Sequence, residues 1–292
     1  MAQPRILILR APGTNCDEES AHAFSLAGGA AERWHVNRVL EEPPRLRDFQ
    51  ILCIPGGFSY GDDIAAGRIF GNQMQHHLAD ALAEFREAGN LILGICNGFQ
   101  VLLKTNLLVA ADEGGPRATL MFNDSGRFEA RWVRLEVEAG NCVFLQGIRE
   151  MELPVAHAEG KFVVQDEAVM TSLREQKQLV LKYRATVCEN SIRSEFEKLS
   201  IPQTEKQFLA DVKIQFQREA LASNELVPYP ANPNGAIGNV AGICDASGRV
   251  FGLMPHPERF VDSTQHPRWT REPARAVGDG LRIFQNAVRY FT

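Results

Sequence analysis

A cysteine flanked by glycines, in the stretch Gly94-Ile95-Cys96-Asn97-Gly98, stands between a short apolar run and a helix-like segment. A strand–turn–helix with the pattern G-x-nucleophile-x-G presents a reactive side chain on a sharp turn, which small neighbours keep free of collisions. The N-terminus of the following helix favours a thiolate, and the Asn97 amide points to where an oxyanion would form. The pattern predicts a cysteine nucleophile. A buried structural cysteine is the alternative.

A histidine and a glutamate stand close together in Met254-Pro255-His256-Pro257-Glu258-Arg259. The two prolines keep this segment extended, so that His256 and Glu258 project from one face. A carboxylate beside an imidazole fixes its tautomer and stabilises the imidazolium, leaving the other ring nitrogen for a thiol. A surface histidine is the alternative. The predicted strand 249–254 nevertheless brings His256 to a strand end, as another strand brings Cys96.

A glycine-rich turn, Pro55-Gly56-Gly57-Phe58-Ser59-Tyr60-Gly61-Asp62-Asp63, follows a third apolar run. Glycines allow backbone N–H groups to approach a ligand closely, so the Gly57 amide is a candidate second oxyanion donor. A simple turn is the alternative. Neither G-x-x-x-x-G-K-[ST] nor G-x-G-x-x-G occurs in the chain, and no familiar nucleotide cradle is therefore visible.

The elements that must position these residues alternate between apolar runs and helix-like segments. The predicted strands cover residues 4–10, 33–36, 50–55 and 90–96, and the predicted helices cover residues 17–26, 71–88 and 97–105. This alternation predicts an α/β fold with a parallel sheet between helices. In such folds ligands bind at the carboxyl ends of the strands, which is where all three motifs fall.

The rest of the chain is more varied. Residues 119–164 are β-rich, with a long strand at 128–137; strands at 237–243 and 249–254 bracket a turn, and an amphipathic helix closes the sequence near 281–291. Residues 184–226 form a polar, helical insert, in which Phe208, Val212, Phe216 and Ala220 recur every four positions and predict one stripe. We expect it to pack on the core or on a partner subunit. A solvated helical excursion is the alternative.

Composition excludes several classes of protein. The 292 residues carry a net charge of −5, unlike a protein that grips nucleic-acid phosphates. The clean apolar runs are four to six residues long, whereas a membrane span needs about 20, and the first residues show no signal-peptide pattern. The six cysteines lie at least 37 positions apart, without a C-x-x-C pair, so we expect no metal site. Scattered cysteines indicate a reducing, cytoplasmic setting.

Taken with the stretch Ala11-Pro12-Gly13-Thr14-Asn15-Cys16-Asp17, the three motifs resemble those of class I (triad) glutamine amidotransferases. Residues 122–128, 131–133 and 232–235 narrow the resemblance to the glutaminase subunits of phosphoribosylformylglycinamidine synthases. The resemblance covers the chain except for about 184–226. It implies a flavodoxin-like, mostly parallel sheet flanked by helices, in a single domain over residues 1–292.

The resemblance also implies roles for individual residues. Cys96 would be the nucleophile, His256 the general base and acid, and Glu258 its orienting partner. The expected oxyanion donors are the amides of Gly57 and Asn97, and the expected substrate-binding residues are Gln100, Phe58 and Ser59. The stretch His157-Ala158-Glu159-Gly160-Lys161 departs at two positions from the His-Gly-Glu-Gly-Arg usual in the family.

The activity implied by the resemblance is hydrolysis of L-glutamine to glutamate and ammonia. The ammonia would pass to a synthetase subunit, which would use ATP and Mg to convert formylglycinamide ribonucleotide to its amidine, with a small accessory subunit in the complex. No cofactor is expected on this chain. Two alternatives remain: a glutaminase for another acceptor pathway, and a non-catalytic, glutaminase-like binding subunit. The intact set of Cys96, His256 and Glu258 argues against the second.

Overall fold

The computed structural model describes residues 3–62, 64–185, 194, 196–222, 227–272 and 275–292, without the side chains of 214 and 216–222. Its strands are β1 (Arg5–Arg10), β2 (Ala30–His35), β3 (Ile51–Ile54), β4 (Leu91–Ile95), β5 (Ala118–Phe122), β6 (Glu129–Val137), β7 (Glu150–His157), β8 (Glu159–Val164), β9 (Leu181–Tyr183), β10 (Val240–Cys244) and β11 (Val250–Leu253). Its helices are α1 (Asp17–Leu26), α2 (Val36–Glu41), α3 (Arg68–His77), α4 (Ala79–Glu87), α5 (Asn97–Lys104), α6 (Glu167–Glu175), α7 (Gln203–Ala222) and α8 (Leu281–Arg289).

Five adjacent strands form a parallel sheet in the order β2-β1-β3-β4-β11. Strands β3, β4 and β11 are buried along their whole length, as their continuous apolar sequences require between two layers of helices. The order is that of a flavodoxin-like sheet. The expected parallel sheet flanked by helices is thus confirmed in the half of the molecule that carries the motifs. The single domain over 1–292 stays a prediction.

The sheet continues through four antiparallel strands, β10-β9-β6-β7. Strands β5 and β8 form a separate antiparallel pair. The predicted β-rich middle is confirmed, and β6 begins within one residue of the expected position. The predicted hairpin is confirmed too, with the Gly248 amide donating to the Asp245 carbonyl across the turn.

Three predicted elements are wrong in part. The strand expected at 33–36 is β2, which begins at Ala30 and ends at His35, because Val36 begins α2. The helix expected at 71–88 is two helices, because Leu78 leaves the helical region at φ −123° and ψ 6° while burying its side chain in the core. No proline or glycine marks this break in the sequence. The strand expected at 237–243 begins only at Val240, because Gly238 turns the chain at φ +61°.

The predicted insert contains α7, a helix of 20 residues. Phe208 and Val212 lie on it with 66% and 49% of their surface exposed, so they do not pack on the core of this chain. Phe216 and Ala220 are predicted for the same stripe, but their side chains lie outside the described part of the structure. Residues 186–193, 195 and 223–226 of the predicted insert lie outside it altogether. No helix in the described ranges has the length and apolar character needed to cross a membrane.

Candidate active site

Cys96 occupies the turn between β4 and α5 with φ +51° and ψ −104°, a conformation unfavourable for any residue with a Cβ. Its amide donates to the Leu253 carbonyl at 2.8 Å, which ties the turn to β11. A Cβ on Gly98 would lie 1.8 Å from the Ile54 carbonyl oxygen, and one on Gly94 would lie 2.6 Å from the Gly98 oxygen. The strained elbow therefore depends on both glycines, as the motif predicts.

His256 and Glu258 follow the end of β11 and are both 2% exposed. Nδ1 of His256 lies 2.6 Å from Oε1 of Glu258. Burial disfavours the imidazolium, but the negative charges of Glu258 and Cys96 outweigh it and hold the pKa of His256 well above its usual value. The pair is therefore arranged to keep His256 protonated.

Gly56 lies where His256 and Cys96 meet. A Cβ at this position would lie 2.8 Å from Cε1 of His256 and 3.5 Å from Cβ of Cys96. Nε2 of His256 is buried and has no hydrogen-bond partner among the described residues. Since Glu258 binds Nδ1, Nε2 is the nitrogen left for the chemistry.

The two expected oxyanion donors are the backbone amides of Gly57 and Asn97. Neither amide has a hydrogen-bond acceptor within the described part of the chain. Gly57 adopts φ +140° and lies against Gly13, Thr14 and Asn15, so that a Cβ there would come within 2.9 Å of all three. Asn97 is the first residue of α5, where helix amides lack intrahelical acceptors. Both donors are thus available to a ligand.

The three expected substrate-binding residues have different surroundings. Gln100 is buried and committed at both ends, since Nε2 donates to the Glu159 carbonyl at 2.7 Å and Oε1 accepts from Asn97. Ser59 is buried with no partner for its hydroxyl among the described residues, whereas Phe58 is half exposed. Ser59 is therefore the one with a free polar group, and the assignment of all three stays a prediction.

A second histidine, His157, lies at the end of β7 beside the site, next to Ala156, whose carbonyl is 3.8 Å from Cys96 Sγ. Its Nδ1 donates to Oδ1 of Asn123 at 3.1 Å, because that oxygen also accepts from the Gly160 amide and the Asn123 amide group donates elsewhere. Burial, aided by the positive charge of His256, lowers the pKa of His157 to about 3. His157 is therefore a neutral imidazole in the Nδ1–H form.

The residues around His157 explain the departures from the family pattern. Gly160 is indispensable, because a Cβ there would lie 2.4 Å from the His157 ring. Lys161 reaches Asp124 at 2.5 Å. Ala158 keeps an ordinary backbone conformation and accepts a hydrogen bond from the Asn123 amide. The alanine and the lysine are thus both accommodated without disturbing the loop.

Sequence reasoning assigned no role to three buried groups near the site. Asn234 donates to both the Gly160 carbonyl and the Tyr183 hydroxyl, and burial together with the Cys96 charge raises the pKa of Tyr183. Cys16 lies behind His256, with Sγ 4.0 Å from Nδ1. Cys16 could have been found from its position just after the first predicted strand, at the edge where the other motifs fall. Tyr183 carries no such signal.

Comparison with known proteins gives a family for the whole chain. A model described as a CobB/CobQ-like glutamine amidotransferase domain matches residues 3–198 and 193–291. The chain is 44% identical to the phosphoribosylformylglycinamidine synthase subunit PurQ of Dehalococcoides mccartyi, over 99% of this chain and 98% of that protein. It is 38% identical to the PurQ subunit of Methanococcus maripaludis, over 99% and 97%.

A solved structure agrees with these relatives. The structure of PurLQS from Thermotoga maritima contains a chain that is 27% identical and superposes with a TM-score of 0.67, covering all of both chains. The share of the chain that these proteins cover includes both the elbow cysteine and the His–Glu pair. The chain belongs to the glutamine amidotransferase family and, within it, to the PurQ subunits of phosphoribosylformylglycinamidine synthase.

Proposed function

We propose that this chain is the glutaminase subunit of a phosphoribosylformylglycinamidine synthase, hydrolysing L-glutamine and delivering ammonia to a synthetase subunit. The proposal rests on one observation: the elbow cysteine and the buried His256–Glu258 pair lie close together beside Gly56. ATP and Mg would act on the synthetase, which would convert formylglycinamide ribonucleotide to its amidine. The five described cysteines are free, in keeping with a cytoplasmic setting.

The first half of the reaction is acyl transfer to sulfur. The Cys96 thiolate attacks the side-chain amide carbon of glutamine, and the amides of Gly57 and Asn97 bind the oxyanion. His256 donates its proton to the departing nitrogen, which leaves as ammonia. Glu258 stabilises the imidazolium until that transfer. The product on the enzyme is a γ-glutamyl thioester at Cys96.

The second half releases glutamate. His256, now neutral, takes a proton from water as the water attacks the thioester, and the sulfur leaves as the thiolate beside the regenerated imidazolium. Ammonia must reach the synthetase unprotonated to act as a nucleophile. The neighbouring His157 does not protonate it, because with a pKa of about 3 this residue is not an imidazolium at neutral pH.

The decisive experiment measures product formation by the complex with its synthetase and accessory subunits, using glutamine or ammonium chloride as nitrogen source. We expect Cys96→Ala to lose the glutamine-dependent reaction and to keep the ammonia-dependent one. Cys142→Ala, which removes another buried cysteine, is the matched control. Glutamine-dependent product from the Cys96→Ala complex would contradict the nucleophile assignment.

A purine-requiring strain that lacks its own glutaminase subunit tests the acceptor. Rescue by this chain is the expected result. Glutamine hydrolysis without rescue would favour another acceptor pathway. A glutamine analogue that never labels Cys96, even with the synthetase present, would favour a non-catalytic binding subunit.

A further inference from the structure

A thiol that the mechanism does not use lies directly behind the catalytic pair. Cys16 is 1% exposed, and its Sγ lies 4.0 Å from Nδ1 of His256, the nitrogen already bound to Glu258. Its S–H donates to Oδ1 of Asn15 at 3.1 Å, and the sulfur accepts a hydrogen bond from Nη2 of Arg259, also at 3.1 Å. The Cys16 sulfur therefore holds the Arg259 guanidinium beside the active site.

Glu258 offers that guanidinium a competing partner. Its Oε1 is bound to His256, but its Oε2 is buried and has no hydrogen-bond partner among the described residues. Arg259 follows it directly in the chain. Burial opposes the charge on Arg259, but Cys16, Glu19 and Glu258 outweigh it and raise the pKa of Arg259. Arg259 and Glu258 interact electrostatically, and a guanidinium that reached this unpaired carboxylate oxygen would bind it unless other acceptors held it.

Two acceptors do hold Arg259 away from Glu258. Nη2 is on Cys16, and Nε donates to Glu19 at 3.3 Å. Glu19 is half exposed on α1, so the buried contact is the one to sulfur. If the Arg259 guanidinium bound Glu258 instead, its positive charge would offset the negative charge of the carboxylate. Since that negative charge raises the pKa of His256, the pKa would then fall.

The backbone of Cys16 has a separate task, which any test must leave intact. The amides of Cys16 and Asn15 donate to the Gly56 carbonyl at 3.3 and 3.4 Å, and the Phe58 amide donates to the Gly13 carbonyl at 3.0 Å. These bonds hold the turn that contains Gly57, one of the two expected oxyanion donors, against the segment after β1. They involve no side chain, so substitutions at Cys16 separate the role of the sulfur from that of the backbone.

We propose that Cys16 is a positioning residue of the glutaminase, whose sulfur retains the Arg259 guanidinium and so leaves the Glu258 carboxylate to His256. The proposal rests on the proposed function. The titratable and charged groups that face the pair from the surrounding elements are Cys96, Cys53, Cys16, His157, Glu19 and Arg259. Burial and the charge of Glu258 both raise the pKa of Cys53.

The test compares four variants of the complete complex: Cys16→Ala, Arg259→Gln, the double variant, and Cys16→Ser. Glutamate formation is followed as kcat and KM for glutamine across pH. In Cys16→Ala the released guanidinium should move the alkaline limb of the pH–kcat profile about one pH unit lower, so that kcat at a fixed pH on that limb falls about tenfold. KM should not change, because Cys16 is buried and lies on the Nδ1 side of His256, away from the Nε2 left for the chemistry.

The double variant is the decisive arm. Without the guanidinium nothing competes for Glu258, so we expect its kcat and alkaline limb to return close to wild type, as in Cys16→Ser, which keeps an acceptor for Arg259. A double variant as slow as Cys16→Ala, or slower, would overturn the proposal, since packing would then be the cause. If Cys16→Ala fails to fold, Arg259→Gln decides alone. A shift of the alkaline limb of its pH–kcat profile to lower pH would show that Arg259 supports the His256–Glu258 pair instead of competing for Glu258.

The same measurements separate this inference from the proposed function. A wild-type complex that hydrolyses no glutamine would refute the proposed function. A wild-type complex that is active, with a double variant that stays slow, would refute only the positioning role of Cys16. Ammonia-dependent product formation, which bypasses the site, should be equal in all four variants and shows that the synthetase is active in each, while co-elution of the subunits in gel filtration shows that each complex is assembled.

Discussion

The elbow at Cys96 and the helix α7 are opposite extremes of the same chain. At the elbow, backbone atoms lie so close that two glycines have no room for a methyl group. On α7, two large apolar side chains, Phe208 and Val212, are about half exposed or more. The first region has one possible arrangement, whereas the second contributes little to the core that holds the site. The parallel strands, and not the insert, therefore fix the geometry of the site.

The largest effect we expect is from Gly98→Ala. The added methyl group would lie 1.8 Å from the Ile54 carbonyl oxygen, so α5 must move away from β3 and carry Cys96 with it. We expect glutaminase activity to fall to background and the free energy of unfolding to fall by about 3 kcal/mol or more. Chemical denaturation and glutamate formation check this.

Gly126→Ala is the matched control, because it lies in an exposed turn at φ +61° with nothing within 4 Å of its added Cβ. It should cost about 1 kcal/mol from backbone strain alone and leave activity intact. Equal losses in the two variants would mean that collision at the elbow is not the cause.

Glu258→Gln should come next. The amide cannot support an imidazolium as the carboxylate does, so the pKa of His256 falls and the protonated histidine needed beside the thiolate is lost at lower pH. We expect kcat to fall roughly 10³-fold with an alkaline limb at lower pH. Glu84→Gln, which removes only a surface ion pair with Arg47, is the control. An unchanged pH profile would contradict the role of Glu258.

The sequence predicted the local geometry of the elbow and of the His–Glu pair better than that of their surroundings, for physical reasons. The elbow and the His–Glu pair are short, and their chemistry depends on residue types that are local in the chain. The break at Leu78 has no proline or glycine to announce it, since burial of the leucine side chain decides it. Tyr183 and Asn234 reach the site only through tertiary contacts between distant segments. Such contacts leave no periodic or spacing signal.

A third prediction concerns the pH dependence of stability. His157 has a pKa of about 3 in the folded protein against about 6.5 when unfolded. Between these values the unfolded chain binds a proton that the folded chain does not, so stability falls as pH falls through this window. We expect the wild type to lose about 2 kcal/mol between pH 8 and pH 5 relative to His157→Gln.

Urea denaturation at the two pH values measures this difference. His22→Gln, which removes a histidine from the exposed side of α1, controls for the loss of a histidine as such. The contribution of His256 is common to both proteins and cancels in the comparison. A difference that is the same at pH 8 and pH 5 would mean that His157 is not held neutral.

The smallest effect should come from the insert. Because Phe208 and Val212 are exposed, replacing both by serine should change the free energy of unfolding by less than about 1 kcal/mol and leave glutamine hydrolysis within about twofold. Phe85→Ser, on the buried face of α4, is the matched contrast and should cost about 3–5 kcal/mol. Denaturation and glutamate formation test both. If the double serine variant is as unstable as Phe85→Ser, α7 is part of the core and the contrast with the elbow fails. If it is stable but no longer assembles with the synthetase, the apolar stripe of α7 binds a partner subunit. If it is stable and still assembles, α7 is the solvated helical excursion.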